Sequence, residues 1–360
     1  MAEMGKRLKV VDREQVDVET FEVRDPGPGQ VLVRVSRTQV SAGTEKGFLL
    51  PLSPDDPGVR SARSAGAKAD ATQDDTPPVV PTGPQDAPGY TAVGRIQAVG
   101  PDVGGFSPGD RVFAIGRHSS HLIINTERVE NDTLRRPVQR IEFDITDEEA
   151  CFSRLGDVAL HSVRRAAIQP DESVAIFGQG VVGQLIASMC RIAGAYPIIG
   201  VDLEPERLAL SRTSGATHTV DGSDVDAVEA VKELTVGGAQ TVFHANRVAQ
   251  VLADCIDAAR YAGKVILVGA TRGKLEMRLR NLLVRELDVR GSHWLDDGAH
   301  KYYPWTPNRD RYAVMRMIST GDLKTDHLIS HVAKPEEADR LYNDIVAGPK
   351  GWMGIFFDWD

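Results

Sequence analysis

Cysteine is scarce in this sequence: Cys151, Cys190 and Cys255 are the only three in 360 residues, and none lies close to another. The absence of any CxxC pair excludes a disulfide framework and a cysteine-rich zinc lobe, and leads us to expect a reducing, cytoplasmic setting. Long apolar runs are missing too, since no stretch approaches the roughly 20 apolar residues of a membrane span. Residues 1–7 are polar and lack the apolar core of a secretory signal, in keeping with that expectation. Positive charge is not in excess: 42 Lys and Arg stand against 51 Asp and Glu, a net charge of -9. The pairs Arg135-Arg136 and Arg164-Arg165 are short, so a nucleic-acid partner, which demands clustered cations, is excluded.

What is present is a soluble globular composition, with 41% apolar and 26% charged residues. The length suits two domains of ordinary size. Gln30-Val31-Leu32-Val33-Arg34-Val35 alternates apolar and polar after a Pro/Gly turn, and residues 91–99 and 111–115 read similarly. Short strands with such turns predict an antiparallel sheet or partial barrel over residues 1–150. Residues 50–88 are rich in Pro, Asp, Ser, Ala and Gly and read as a flexible insertion, either a cover over a site or a surface excursion.

From about residue 147 helices and strands alternate, which predicts a doubly wound parallel sheet over residues 151–298. Expected helices cover residues 148–167, 181–193, 205–214 and 248–261. Expected strands cover residues 173–177, 197–201, 217–220, 241–243, 264–268 and 287–290. Residues 299–360 add helices near 310–319 and 335–347 and an apolar strand at 352–357 that returns to the first domain.

The chemistry-bearing motif is Gly178-Gln179-Gly180-Val181-Val182-Gly183, placed between the apolar strand 173–177 and an apolar helix. Gly178 permits the tight turn, Gly180 lets backbone approach a pyrophosphate, and Gly183 lets the helix pack close to the strand. Val181 and Val182 open the helix whose N-terminus faces the phosphate. Asp202, nineteen residues after Gly183, suits an adenosine ribose and repels the extra phosphate of NADP. NAD is therefore favoured over NADP, with Arg207 as the opposing cation.

These residues resemble the medium-chain dehydrogenase/reductase superfamily, in its sorbitol (polyol) dehydrogenase-like branch. The resemblance also rests on Ser41-Ala42-Gly43-Thr44-Glu45, Pro88-Gly89-Tyr90-Thr91, Pro108-Gly109-Asp110-Arg111-Val112 and Gly263-Lys264-Val265-Ile266-Leu267-Val268-Gly269. It implies a Rossmann sheet joined to a GroES-like, mainly antiparallel β catalytic domain, and a homodimer or homotetramer. It places Asn246, Val268, Gly269, Ala270 and Ser292 toward the nicotinamide, and Arg154, His293 and Trp294 toward the substrate. It also implies a catalytic zinc, yet the ligand positions hold Ala42, Tyr90 and Arg154. None of these is a thiolate, imidazole or carboxylate, so we expect no zinc and no other metal site. His118 and His121 are a poor pair for a new one.

Without a Lewis acid, an alcohol hydroxyl with pKa ~16 lies far from ionised at pH 7, at a cost of roughly 12 kcal/mol. A protein group must then take the proton as hydride leaves. The resemblance makes Thr44 the substrate contact, with Glu45 and Tyr90 as the neighbouring base and acid. The leading expectation is zinc-independent oxidoreduction at a secondary alcohol or ketone, on a small polyol, sugar or cyclitol-like substrate. Two alternatives stay open: an enoyl or quinone reductase of the zinc-free type, and a non-catalytic NAD(P)H-binding protein.

Overall fold

Two rhythms of side-chain burial divide the chain. A computed structural model describes residues 2–11, 15–49, 88–130, 133–269, 271, 275, 279–293, 305–348 and 350–360. Its contacts define two units: Met1–Phe152, Leu295–Arg309 and Ile329–Asp360 form one, and Ser153–Trp294 with Asp310–Leu328 form the other.

In the first unit exposed and buried positions mix along most strands. It contains β1 (Met4–Val10), β2 (Val16–Glu22), β3 (Gln30–Val40), helix α1 (Ala42–Leu49), β4 (Ala92–Val99) and β5 (Arg111–Ala114). Strands β6 (His121–Asn125), β7 (Arg128–Glu130), β8 (Thr133–Arg135) and β9 (Val138–Arg140) follow, then helix α2 (Asp147–Cys151). Val31, Val33 and Val35 of β3 turn one face into a core shared with Ala92, Ile96 and Val112.

The second unit runs α3 (Ser153–Ala166), β10 (Val174–Phe177), α4 (Val181–Ile192), β11 (Ile198–Asp202), α5 (Pro205–Ser214) and β12 (His218–Asp221). It continues with α6 (Ala227–Thr235), β13 (Ala239–His244), α7 (Ala249–Ala258), β14 (Ala259–Leu267), α8 (Leu279–Val284) and β15 (Asp288–Gly291). Most of α9 (Pro307–Ser319) completes it. All four residues of β10 are buried, the mark of a parallel strand covered on both faces. The sheet order is β12-β11-β10-β13-β14-β15, so the direction of winding reverses beside β10. Ligands of open α/β sheets bind at that reversal, beyond the carboxyl ends of the strands.

The chain then returns to the first unit through β16 (Ile329–Ala333), α10 (Ala338–Ala347) and β17 (Gly354–Asp358). The first sheet is ordered β16-β17-β3-β4-β5-β9, with β6 also paired to β3. Only β16 and β17 pair parallel in it; the other pairings are antiparallel. The expected class stands: a Rossmann doubly wound sheet and a GroES-like, mainly antiparallel unit.

Some boundaries differ from expectation for local reasons. The helix expected over 148–167 is two helices, broken at the fully buried Phe152, whose ring meets Phe356 edge-on at 5.5 Å. A capping box at Thr146 starts the first of them. The helix expected over 248–261 ends at Ala258, because Ala259 turns extended and pairs with Ala239 of β13. Helix α1 was not expected; Ser41 starts it, its carbonyl accepting from the backbone N–H of Thr44 and of Glu45, each at 2.8 Å. Of the insertion expected over residues 50–88, residues 50–87 lie outside the described residues, as do Ala270 and Trp294.

Candidate active site

The glycine motif folds as its spacing dictates. Gly178 adopts φ +100, and a Cβ there would sit 2.6 Å from the Ala245 carbonyl oxygen. At Gly183 a Cβ would fall 1.9 Å from the Gly178 carbonyl oxygen, so only glycine lets α4 start this close to β10. Gly180 differs from both: it is the N-cap of α4, carries no side-chain cap, and a Cβ on it would meet nothing within 4 Å. Space beside unsatisfied helix-start N–H groups, Val181 and Val182 among them, fits a dinucleotide pyrophosphate.

Asp202 ends β11 and ties to this turn. Its Oδ2 accepts from the Gln179 backbone N–H at 2.6 Å, and its Oδ1 accepts from Leu203 and Glu204 at 2.7 and 3.1 Å. Arg207 leans toward Glu204, with 3.0 Å between Nη2 and Oε1, while its Nη1 stays 4.0 Å from Asp202. The cation expected to oppose Asp202 is thus engaged by a second carboxylate.

The ends of the neighbouring strands meet the same turn. Ala245, just after β13, donates to the Phe177 carbonyl at 2.9 Å. A Cβ on Gly269 would lie 1.9 Å from the Asn246 carbonyl oxygen. Val268 and Gly269 both donate to the His244 carbonyl at 3.0 Å, and the Thr271 hydroxyl donates to Asn246 at 3.2 Å. Asn246 spends its own amide oxygen on the Val248 N–H at 2.8 Å. Ser292, following β15, is buried and shares a 2.8 Å hydrogen bond with Ser162. Burial holds the His244 imidazole below its ordinary pKa.

In the first unit the expected catalytic residues part company. Thr44 is half-buried in the first turn of α1, its hydroxyl 3.3 Å from that of Ser41. Tyr90 is half-buried, two residues before β4 begins at Ala92. Glu45 is only 1% exposed. Its Oε1 accepts from the Ser41 N–H at 2.7 Å; its Oε2 accepts from the Tyr342 hydroxyl at 2.5 Å and meets His118 Nε2 at 3.1 Å. Burial and the Glu45 charge push the Tyr342 phenol well above its ordinary pKa.

Arg154 and His293 come together in the second unit. Arg154 pairs with the fully buried Asp157 at 2.7 Å, and Arg311 reaches the same carboxylate at 3.0 Å. Burial raises the Asp157 pKa against the pull of both arginines. His293 is held below its ordinary value by burial and by the Arg154 charge. Ala42, Tyr90 and Arg154 offer no zinc donor, and the His118 Nε2 is taken by Glu45. His121 goes instead to Glu3, at 3.2 Å. Among the described residues no group of three His, Cys, Asp or Glu is gathered for a metal. These residues do not fit the zinc ion the resemblance implies.

Sequence reasoning missed Gln179 and Tyr342, and weighed His118 only as a metal ligand. Gln179 is fully buried, donating to Ile176 at 2.8 Å and accepting from Ser211 at 2.8 Å, which locks the turn from beneath. The i,i+3 spacing of Glu204 and Arg207 was readable; the partners of Glu45, 73 and 297 positions away, were not.

Known proteins resemble this chain in sequence and in fold. Residues 181–309 match the family model of zinc-binding dehydrogenases. D-xylulose reductase A of Aspergillus oryzae is 28% identical over 210 residues, 57% of this chain and 56% of that protein. The match thus spans about half the length of such curated relatives. Over 99% of both chains, a structure assigned as a zinc-binding dehydrogenase from Sinorhizobium meliloti 1021, bound to NADP, superposes with TM-score 0.76 and 23% identity. Galactitol-1-phosphate dehydrogenase from Escherichia coli superposes with TM-score 0.77 and 19% identity, over 98% of this chain and 99% of that one.

Proposed function

Because the chain belongs to the medium-chain dehydrogenase/reductase superfamily, in its sorbitol dehydrogenase-like branch, we propose that it is a zinc-independent, NAD-preferring oxidoreductase of secondary alcohols and ketones. A small polyol, sugar or cyclitol-like molecule is the substrate we favour, as the names of its relatives suggest. The observation that carries the reading is the open N-cap at Gly180, placed at the reversal of strand order with Asp202 alongside. Asp202 and the Glu204–Arg207 pair supply the preference for NAD, since two carboxylates repel a ribose phosphate.

A nicotinamide dinucleotide held at the Gly178–Gly183 turn would supply the hydride acceptor or donor. The protein's own task is the proton. In reduction, the Tyr90 phenol donates a proton to the carbonyl oxygen and is reprotonated from solvent; in oxidation the reverse transfer takes the proton of the Thr44-bound substrate hydroxyl to the Tyr90 phenolate, and on to solvent, as the C–H bond yields its hydride. Glu45, enclosed by three partners, serves this chemistry by holding the Thr44 turn. Arg154 and His293 are proposed to border the substrate. A homo-oligomer is proposed on the exposed Val289 of the edge strand β15 and the exposed Leu279 and Leu283 of α8. A cytoplasmic setting is supported by three free, buried cysteines. No described helix is long and apolar enough to cross a membrane.

The test is a panel of polyols, sugars, ketones, enones and quinones assayed with NADH, NADPH and their oxidised forms after chelation. We expect turnover on carbinols or ketones with NAD, and in Thr44→Ala a loss of about a hundredfold with cofactor affinity kept. Reaction of enones or quinones alone would replace this reading with that of a conjugated-bond reductase. NADH binding without any turnover would replace it with a non-catalytic one, and stoichiometric zinc surviving chelation would overturn metal independence.

A further inference from the structure

We propose that His118 is a positioning residue: it ties together, inside the first unit, the turn that carries Thr44 and the turn that carries Tyr90. The proposal rests on the functional reading above only for what those two turns do.

His118 is fully buried and uses every polar group it has. Its backbone N–H donates to the Pro88 carbonyl at 3.0 Å, two residues before Tyr90. Its ring closes over Gly89, where a Cβ would sit 2.7 Å from both His118 Cδ2 and its backbone nitrogen. Gly89 also has φ +95, so no other residue fits that turn comfortably. On the other side, Nε2 meets Glu45 Oε2 at 3.1 Å, and Glu45 reaches back to the Ser41 N–H that begins the Thr44 turn.

The hydrogen bonds have a consistent direction. A carboxylate only accepts, so Nε2 donates to Glu45; in the neutral imidazole Nδ1 then accepts from the Thr38 hydroxyl at 2.6 Å. That hydroxyl in turn accepts from the Trp359 indole N–H at 2.9 Å. Phe357 meets the ring edge-on at 5.1 Å. The imidazole is therefore fixed in position and in rotation, and the two turns are fixed through it. The tether adds to the Tyr342 hydroxyl on Glu45 and to the Gln39 N–H that donates to the Thr91 carbonyl at 3.3 Å, and it touches both turns through a single side chain.

Hydrogen exchange of the whole chain, followed by mass spectrometry, tests the tether without any substrate. In His118→Ala, residues 41–45 and 88–91 should exchange faster together, while residues 174–183 and NADH affinity stay as in the parent. Turnover should fall about a hundredfold, the scale of a 1 Å misplacement. His118→Gln, whose amide nitrogen replaces Nε2, should restore exchange protection and most of the turnover; it also guards against a His118→Ala protein that does not fold. If the two segments keep their protection, or only one loosens, the tether is wrong. If both loosen and turnover measured well below Tm is unchanged, the positioning role is wrong. A parent that turns over nothing would remove the functional reading and leave the exchange result standing.

Discussion

At Gly183 and Gly180 the same residue type answers two different demands. Gly183 is needed for space within the protein, because a Cβ would overlap the Gly178 carbonyl oxygen at 1.9 Å. Gly180 leaves space open, with nothing within 4 Å of the Cβ position, and that space lies where the nucleotide phosphate is proposed. The two alanine substitutions should therefore separate. Gly183→Ala should destabilise the protein by about 1–3 kcal/mol through overpacking, visible in thermal unfolding. Gly180→Ala should cost stability no more than about 1 kcal/mol, from the weaker N-cap. Its NADH affinity, read by fluorescence titration, should still fall at least about tenfold, which is 1.4 kcal/mol. Equal losses of stability in the two variants would show that Gly180 is a packing glycine.

Among the elements, those of the second sheet were legible because β10 is a wholly apolar run and β11 is one up to its closing Asp202, with glycines at defined offsets. Strand β14 was half-legible: Ala259, Arg260 and Tyr261 continue a helical pattern, yet Ala259 pairs with Ala239 of β13 and the register shifts before resuming at Lys264. Helix α1 was hidden by Gly43, since its start depends on the Glu45 carboxylate folding back to Ser41. The cofactor side of the site could be read from local spacing. Its other side could not, because Tyr342 reaches Glu45, and Trp359 reaches the Thr38 hydroxyl that holds His118, only once α10 and β17 have returned to β3. Helix α10 contributes to that network through a single hydroxyl. Tyr342→Phe keeps the ring against Phe357 but removes one donor from a buried carboxylate, and should cost about 1.5–3 kcal/mol. Chemical denaturation would measure this; a loss below about 0.5 kcal/mol would mean that the remaining donors suffice for Glu45.

For the whole molecule, acid sensitivity follows from the histidines. His121, His244, His293, His327 and His331 all have lowered pKa values, and burial is the leading cause in every case. Each binds more protons when unfolded, so its stabilising effect is complete above the unfolded value of about 6.5 and is lost as pH falls through the folded one. Tm should decline between pH 7 and pH 5, and less steeply in His327→Gln, where one buried imidazole no longer resists charging. A His327→Gln slope equal to the parent's would contradict this. The topology of the first sheet has another consequence, for synthesis. Residues 37–40 of β3 pair with residues 355–358 of β17, which also carries β16 on its far side. At about 5–20 residues per second, that partner leaves the ribosome on the order of tens of seconds after β3. The nascent chain therefore completes the second unit first, and the unit begun earliest waits with one edge of its central strand uncovered.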